Sequence, residues 1–220
     1  MIWKTFADKG LNLLYPPGLY CNCCGNLIDD TRTYHLCDHC ITHMSFDGEG
    51  IREINGLKVF RCTEYGLYTR TLIFALKYNG KRYIARDLAL IMADRIELAQ
   101  IEFDLIVPIP MFRKKERKRG FNHAALMGKF LAHLTGKPCV ADGLLRTADT
   151  LPMRGLSPAE RAVNVKGRFA VNPSCRKVME RKRILLIDDF YTTGSTGGEC
   201  RKALLSIQPE EVYLLAFAAR

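Results

Sequence analysis

The spacing of apolar positions changes character along the chain, and the change marks its organisation. From residue 57 onward, short aliphatic runs alternate with stretches of helical periodicity. The pattern predicts strands at 57–65, 104–109, 183–188 and 211–218. Between them it predicts helices at 68–78, with Leu72, Ala75 and Leu76 in register, and at 82–98, with Leu88, Ile91, Met92 and Ile96 in register. Further helices are predicted at 122–134, which Gly136 can terminate, and at 196–207. Ser157-Pro158-Ala159-Glu160 has the form of a helix start, with Ser as N-cap, Pro at the first position and Glu at the third. Strands and helices alternating at this pace imply an α/β fold, a mainly parallel sheet with helices on both faces. In such sheets ligands bind at the carboxyl ends of the strands.

Before residue 57 the chain reads differently. Tyr15-Pro16-Pro17-Gly18 is a breaker cluster, and the stretch between Cys21 and Cys40 is too short and polar to build a core alone. Cys21-x2-Cys24 and Cys37-x2-Cys40, separated by twelve residues, form a zinc-ribbon pattern. Structural Zn²⁺ in small peptides is worth roughly 10–16 kcal/mol, which a segment that buries so little needs. Cys23 is a spare thiol in register, and His35, His39 and His43 are alternative ligands to the regular four-cysteine set. The division expected is 1–56 with the ribbon at about 19–45, and 57–220 as the larger domain.

Among 220 residues the nine cysteines are too many to ignore, and their redox state depends on the compartment. The N-terminal MIWKTFADKG does not read as a signal peptide, and the apolar run at 213–219 is far too short to cross a bilayer. A cytoplasmic location is expected, with thiols reduced or metal-bound. The formal net charge of +10 is lopsided. Residues 1–65 carry six basic and eight acidic side chains, so the excess of positive charge lies beyond them. The larger part should therefore attract anions, either phosphorylated metabolites or nucleic acid.

Two stretches can meet such anions. Ile184 to Ile187 delivers Asp188 and Asp189 at a strand's carboxyl end. Phe190 and Tyr191 come next, then Thr192, Thr193, Gly194, Ser195 and Thr196, where a helix begins. Successive amides at a helix start, with Thr and Ser hydroxyls, form an anion nest, and Gly194 permits close backbone approach. Two carboxylates beside a nest must serve neutral or cationic groups, such as sugar hydroxyls and a divalent metal. There is no GxxxxGK[ST], no GxGxxG and no Ser-His-Asp arrangement. The second stretch follows 104–109. The turn at Pro110 and Met111 presents backbone amides, and six of the seven residues from 113 to 119 are basic; Arg113, Arg117 and Arg119 are the candidate anion ligands on this basic loop. Lys77, at the end of the second predicted element, can face the same anion. The basic segment running from Leu145 to Asn164 suits a mobile lid.

ILLIDDFYTTGST resembles the thirteen-residue 5-phosphoribosyl-1-pyrophosphate (PRPP) signature of type I phosphoribosyltransferases. The resemblance implies that Asp188 and Asp189 hold ribose hydroxyls with a bridging Mg²⁺. It also implies that Thr192 to Thr196 cradle the 5′-phosphate. The order of ribbon, LKYNGK, VPIP, RGFN, IDDFYTTGST and AFAAR resembles the ComF family of competence-associated, phosphoribosyltransferase-like proteins over nearly the whole chain. That resemblance implies a type I phosphoribosyltransferase fold preceded by a four-cysteine zinc ribbon. It further implies PRPP or a related phosphorylated ribose as ligand, and transfer to an unknown nitrogenous acceptor if the protein is an enzyme. The other class of function it implies is non-catalytic: binding a nucleotide or single-stranded DNA, with other competence proteins as partners, in DNA import. The family's RGFN is usually followed by Gln, where this chain has His123, and a second usual Gln is replaced near Met153.

Overall fold

The computed structural model describes residues 19–29, 31–46, 52–54, 56–150 and 155–220. The breaker cluster before Cys21 and Met153 lie outside the described residues. The helices are α1 (Asp38–Thr42), α2 (Leu67–Tyr78), α3 (Ile84–Leu98), α4 (Arg113–Arg119), α5 (His123–Thr135), α6 (Pro158–Val165), α7 (Arg176–Met179) and α8 (Ser195–Leu204). The strands are β1 (Arg52–Ile54), β2 (Leu57–Glu64), β3 (Leu105–Pro108), β4 (Leu144–Arg146), β5 (Phe169–Val171), β6 (Arg183–Tyr191) and β7 (Glu211–Ala219).

Five strands form one sheet in the order β1-β2-β7-β6-β3. The four longer ones run parallel, and β1 adds an antiparallel edge to β2. Period-two alternation divides the core. Leu185 and Ile187 of β6, with Leu215 and Phe217 of β7, face α2, α3 and α5. Their neighbours Ile184, Leu186, Leu214 and Ala216 face α8 on the other side. Ile184 through Ile187 are all fully buried, which only a strand covered on both faces can achieve. The parallel α/β sheet and the N-terminal four-cysteine module expected from the sequence are both present.

The helix boundaries follow from local chemistry. Gly136 caps α5 with φ 68°, and Ser157 and Glu160 form a reciprocal capping box on α6. The basic run at 113–119, expected as a loop, is the helix α4. Its arginines, lysines and single glutamate are good helix formers, and Gly120 closes it in the left-handed region at φ 86°. No apolar stripe marks it, so periodicity is silent there. Within the segment expected as a lid, Arg146 lies in β4, which pairs antiparallel with β5, and Arg161 lies in α6.

The cysteine module does not stand apart. Cys21, Leu36, Cys40 and Met44 share one core with Leu72, Leu76, Leu88 and Met92 of α2 and α3. Two carboxylates of α3 hold it from below. Asp87, only 3% exposed, accepts from Asn22 and from His35 Nδ1 at 2.8 Å, and Tyr34 donates to Asp94. Among the described residues, no helix is long and apolar enough to cross a membrane.

Candidate functional site

Two chemical centres emerge, one of sulfur and one of charge. The Sγ atoms of Cys21, Cys24, Cys37 and Cys40 lie within 4.8 Å of one another, and Cys24 and Cys37 are 3.6 Å apart. A tetrahedral ion with bonds of about 2.3 Å places sulfurs about 3.8 Å apart, so the cage fits a thiolate-bound metal. The backbone also prepares it. Burial opposes ionisation of the Cys21 thiol, but the amides of Cys24, Cys37 and Cys23 outweigh it and hold the thiol down at about 7. Cys37 N–H donates to Cys21 Sγ at 3.3 Å. The remaining candidates are engaged elsewhere. Cys23 donates to Tyr68 O at 3.7 Å and is pushed up to about 11, chiefly by burial. His35 serves Asp87, His39 Nε2 lies 2.9 Å from Tyr68 Oη, and His43 Nδ1 donates to His39 O at 2.7 Å.

The second centre is a cleft of about 710 Å³ at the carboxyl ends of β6 and β3. Thr192, Thr193, Gly194, Ser195 and Thr196 line it together. Gly194 sits at φ 77°, and the first bond of α8 runs from Gly198 N–H to Gly194 O at 2.8 Å. The amides ahead of that bond therefore have no intrahelical partner, the state that receives an anion. Thr193 and Ser195 hydroxyls sit 2.8 Å apart within the bend.

Asp188 and Asp189 line the same cleft but differ in surroundings. The Asp189 side chain is 3% exposed, paired with Lys77 Nζ and 2.9 Å from His123 Nε2. Burial opposes its ionisation, yet the Lys77 charge and the hydrogen bond from His123 hold it well below the usual carboxylate range. Asp188 is 19% exposed, and burial together with the neighbouring Asp189 charge pushes it well above that range. Asn122, capping α5, also donates to Ile109 O at 3.2 Å, so the RGFN segment ties the β3 turn to the helix that carries His123.

Of the anion ligands expected from sequence, Lys77, Pro110, Met111 and Arg119 line the cleft. Arg113 and Arg117 do not: they lie on the exposed face of α4. Helix geometry decides this, because Lys115 and Arg119 are four residues apart on one face and Arg113 and Arg117 occupy another. Lys115 donates to Thr150 O at 2.6 Å and pairs with Asp149 at 2.8 Å. Sequence reasoning also passed over Arg70 and Arg220 as cleft residues. Arg146 and Arg161 were visible only as part of a basic segment. In all, seven basic side chains line the cleft against two carboxylates, which favours an anionic ligand.

The chain is 26% identical over 205 residues to competence protein F of Haemophilus influenzae, covering 89% of both chains. It is also 28% identical over 139 residues to the DNA utilization protein YhgH of Salmonella typhi, spanning 61% of this chain and 60% of that protein's length. Among solved structures, adenine phosphoribosyltransferase from Thermoanaerobacter pseudethanolicus is similar with a TM-score of 0.40 and 16% identity, over 64% of this chain and 83% of that one. The chain matches no protein-family model. The sulfur cage packs into the core on the α2, α3 and α5 side of the sheet, whereas the bend of the charged cleft follows Tyr191 and opens α8, which pack in the core on the other side.

Proposed function

We propose that the cleft binds PRPP or a related phosphorylated ribose. The observation that carries this reading is one continuous wall, in which a hydroxyl-rich bend with unpaired helix amides adjoins an acid pair and faces a cationic rim. Thr192 to Thr196 would take the 5′-phosphate, and the carboxyl end of β6, where Asp188 and Asp189 lie, would meet sugar hydroxyls and a Mg²⁺ that neutralises pyrophosphate. The turn at Pro110 and Met111, with Lys115 and Arg119, would take the pyrophosphate itself. As a phosphoribosyltransferase the protein would break the C1′–O bond to pyrophosphate and form a C1′–N bond, the acceptor nitrogen losing a proton. Such a reaction depends on positioning and charge stabilisation and requires no nucleophilic side chain. Residues 57–220 form the phosphoribosyltransferase-type domain in this reading. The module within 1–56 holds zinc, and the protein resides in the cytoplasm.

Incubation with PRPP, Mg²⁺ and a panel of nitrogenous bases, followed for pyrophosphate release, tests catalysis. Release with one base identifies the acceptor; none with any base contradicts transferase activity. Replacing Lys115 and Arg119 together by Ala should weaken PRPP binding by about a hundredfold, since hydrogen bonds to charged groups are worth about 1.5–3 kcal/mol each. An unchanged affinity, measured by calorimetry, would remove them from the site.

A second reading, support of single-stranded DNA import, draws on the cleft rim. Phe74 and Tyr78 are 43% and 64% exposed, with ring centroids 5.2 Å apart. Arg70 lies over the first ring at 5.1 Å and Arg119 over the second at 5.3 Å. Exposed rings beside cations suit base stacking on a strand. Tyr191, by contrast, is buried and belongs to the packing. Oligothymidine binding should fall steeply with salt and weaken when Phe74 and Tyr78 become Ala. Salt-insensitive binding rejects this reading.

A further inference from the structure

Both carboxylates of the acid pair line the cleft, yet hydrogen-bond donors reach them unequally. Arginine has donors and no acceptor. Arg119 Nη1 lies 3.0 Å from His123 Nδ1, so that nitrogen must accept and carries no proton. The ring proton therefore sits on Nε2, 2.9 Å from Asp189 Oδ1, to which it donates. The other oxygen, Oδ2, is paired with Lys77 Nζ. One oxygen of Asp189 thus accepts a hydrogen bond from His123 and the other is ion-paired with the Lys77 ammonium, and the side chain is 3% exposed.

Asp188 is differently placed. Its Oδ1 accepts the Asp189 N–H at 2.9 Å, and its side chain is 19% exposed to the cleft. His123 Nε2 approaches it only to 4.0 Å, too far for a hydrogen bond.

We propose that the acid pair is divided: Asp188 alone presents a carboxylate to the ligand, while Asp189 is a positioning residue clamped by Lys77 and His123, with Arg119 fixing the imidazole tautomer. The division deepens the phosphoribose reading and rests on it for the identity of the ligand. It also bears on metal binding. Ligand atoms of His123, Asp188 and Asp189 lie within 4.8 Å of one another, a grouping with the outward form of a three-ligand cation site. A metal takes an imidazole lone pair, and the free lone pair of His123 is on Nδ1, turned to Arg119 rather than to the acids. Moving the proton to Nδ1 would set two donors against each other. A divalent cation here would be held by Asp188, and His123 would not serve as its ligand.

The clamp gives the Asp188-Asp189 peptide a fixed orientation. Lys77 reaches in from the end of α2, His123 from the first turn of α5, and both acids from β6. Three elements that enclose one side of the cleft converge on a single carboxylate, so the direction of Asp188 is set by packing rather than by the ligand.

Two measurements on the full-length protein decide the proposal. Long-range ¹H–¹⁵N NMR of histidine-labelled, ligand-free protein should show His123 with a protonated Nε2 and an unprotonated Nδ1. An Nδ1–H ring or an imidazolium overturns the clamp, whatever the ligand. Calorimetry with PRPP and Mg²⁺ should show at least a tenfold loss in Asp188→Asn and a similar loss in His123→Leu. His123→Gln, whose amide again donates to Asp189, should restore most of the affinity missing in His123→Leu. Failure of Gln to restore it, or an unaffected Asp188→Asn, overturns the division. If PRPP does not bind the unsubstituted protein, the proposed ligand falls instead, and the tautomer still decides the clamp.

Discussion

Stripping the metal with a strong chelator, or replacing Cys37 by Ser, should release the N-terminal module while leaving the central sheet folded. The expectation follows from where the stabilising contacts lie. The described module contributes four buried residues to the shared core, Cys21, Leu36, Cys40 and Met44, of which two are cage thiols, with partly buried Ile28, Tyr34 and Ile41 among those packed against it. A structural zinc site is worth roughly 10–16 kcal/mol, more than so few apolar contacts supply. Without it, docking falls to those apolar contacts and to hydrogen bonds such as the ones that Asp87 and Asp94 make with Asn22, His35 and Tyr34. The sheet has a second core, on its α8 side, in which no module residue takes part. Metal analysis should find about one zinc per chain in the parent and none in the Ser variant. Hydrogen exchange should then rise across 19–46 and stay low in β6 and β7. A metal-free protein with full protection of the module would contradict the four-cysteine assignment.

Gly194→Ala should be the most damaging single substitution in the phosphate bend. A side chain at φ 77° costs about 1–2 kcal/mol in backbone strain alone. The added Cβ would also sit 2.6 Å from Tyr191 Oη and 3.2 Å from its ring. Tyr191 is itself buried, so relief requires the bend to move, and with it the amides that would hold phosphate. A lowered melting temperature and at least a tenfold loss of PRPP affinity, about 1.4 kcal/mol, are expected. Gly198, inside α8, is the matched control. A Cβ there meets nothing within 4 Å, and Ala is the better helix former by roughly 0.5–1 kcal/mol. Equal effects of the two substitutions would show that the bend tolerates a side chain.

Much of the fold was legible because its signals are local. Ile184 to Ile187 announces a strand covered on both faces, Ser157 and Glu160 announce a capping box, and the cysteine spacing announces a cage. What stayed hidden depends on pairing or on a helix without an apolar stripe. β4 and β5 are three residues each and gain meaning only from each other. α4 is almost wholly charged, so its inward face, Lys115 and Arg119, could be read only after the helix itself was known. Asp87 shows the same limit: as one acid among the charges of α3, it gives no sign in sequence that it will be buried beneath the cysteine module. The unequal surroundings of Asp188 and Asp189 are likewise invisible in a DD dipeptide, because the side chains that separate them come from Lys77 and His123 on two other helices.

Calorimetric titration of the protein with PRPP, in the presence and absence of Mg²⁺, tests the central claim most directly. Saturable binding in the millimolar range or tighter is expected, dependent on Mg²⁺ and lost in the Asp188→Asn/Asp189→Asn double variant. No binding, or the same binding by the double variant, would contradict the assignment of this cleft to a phosphorylated ribose.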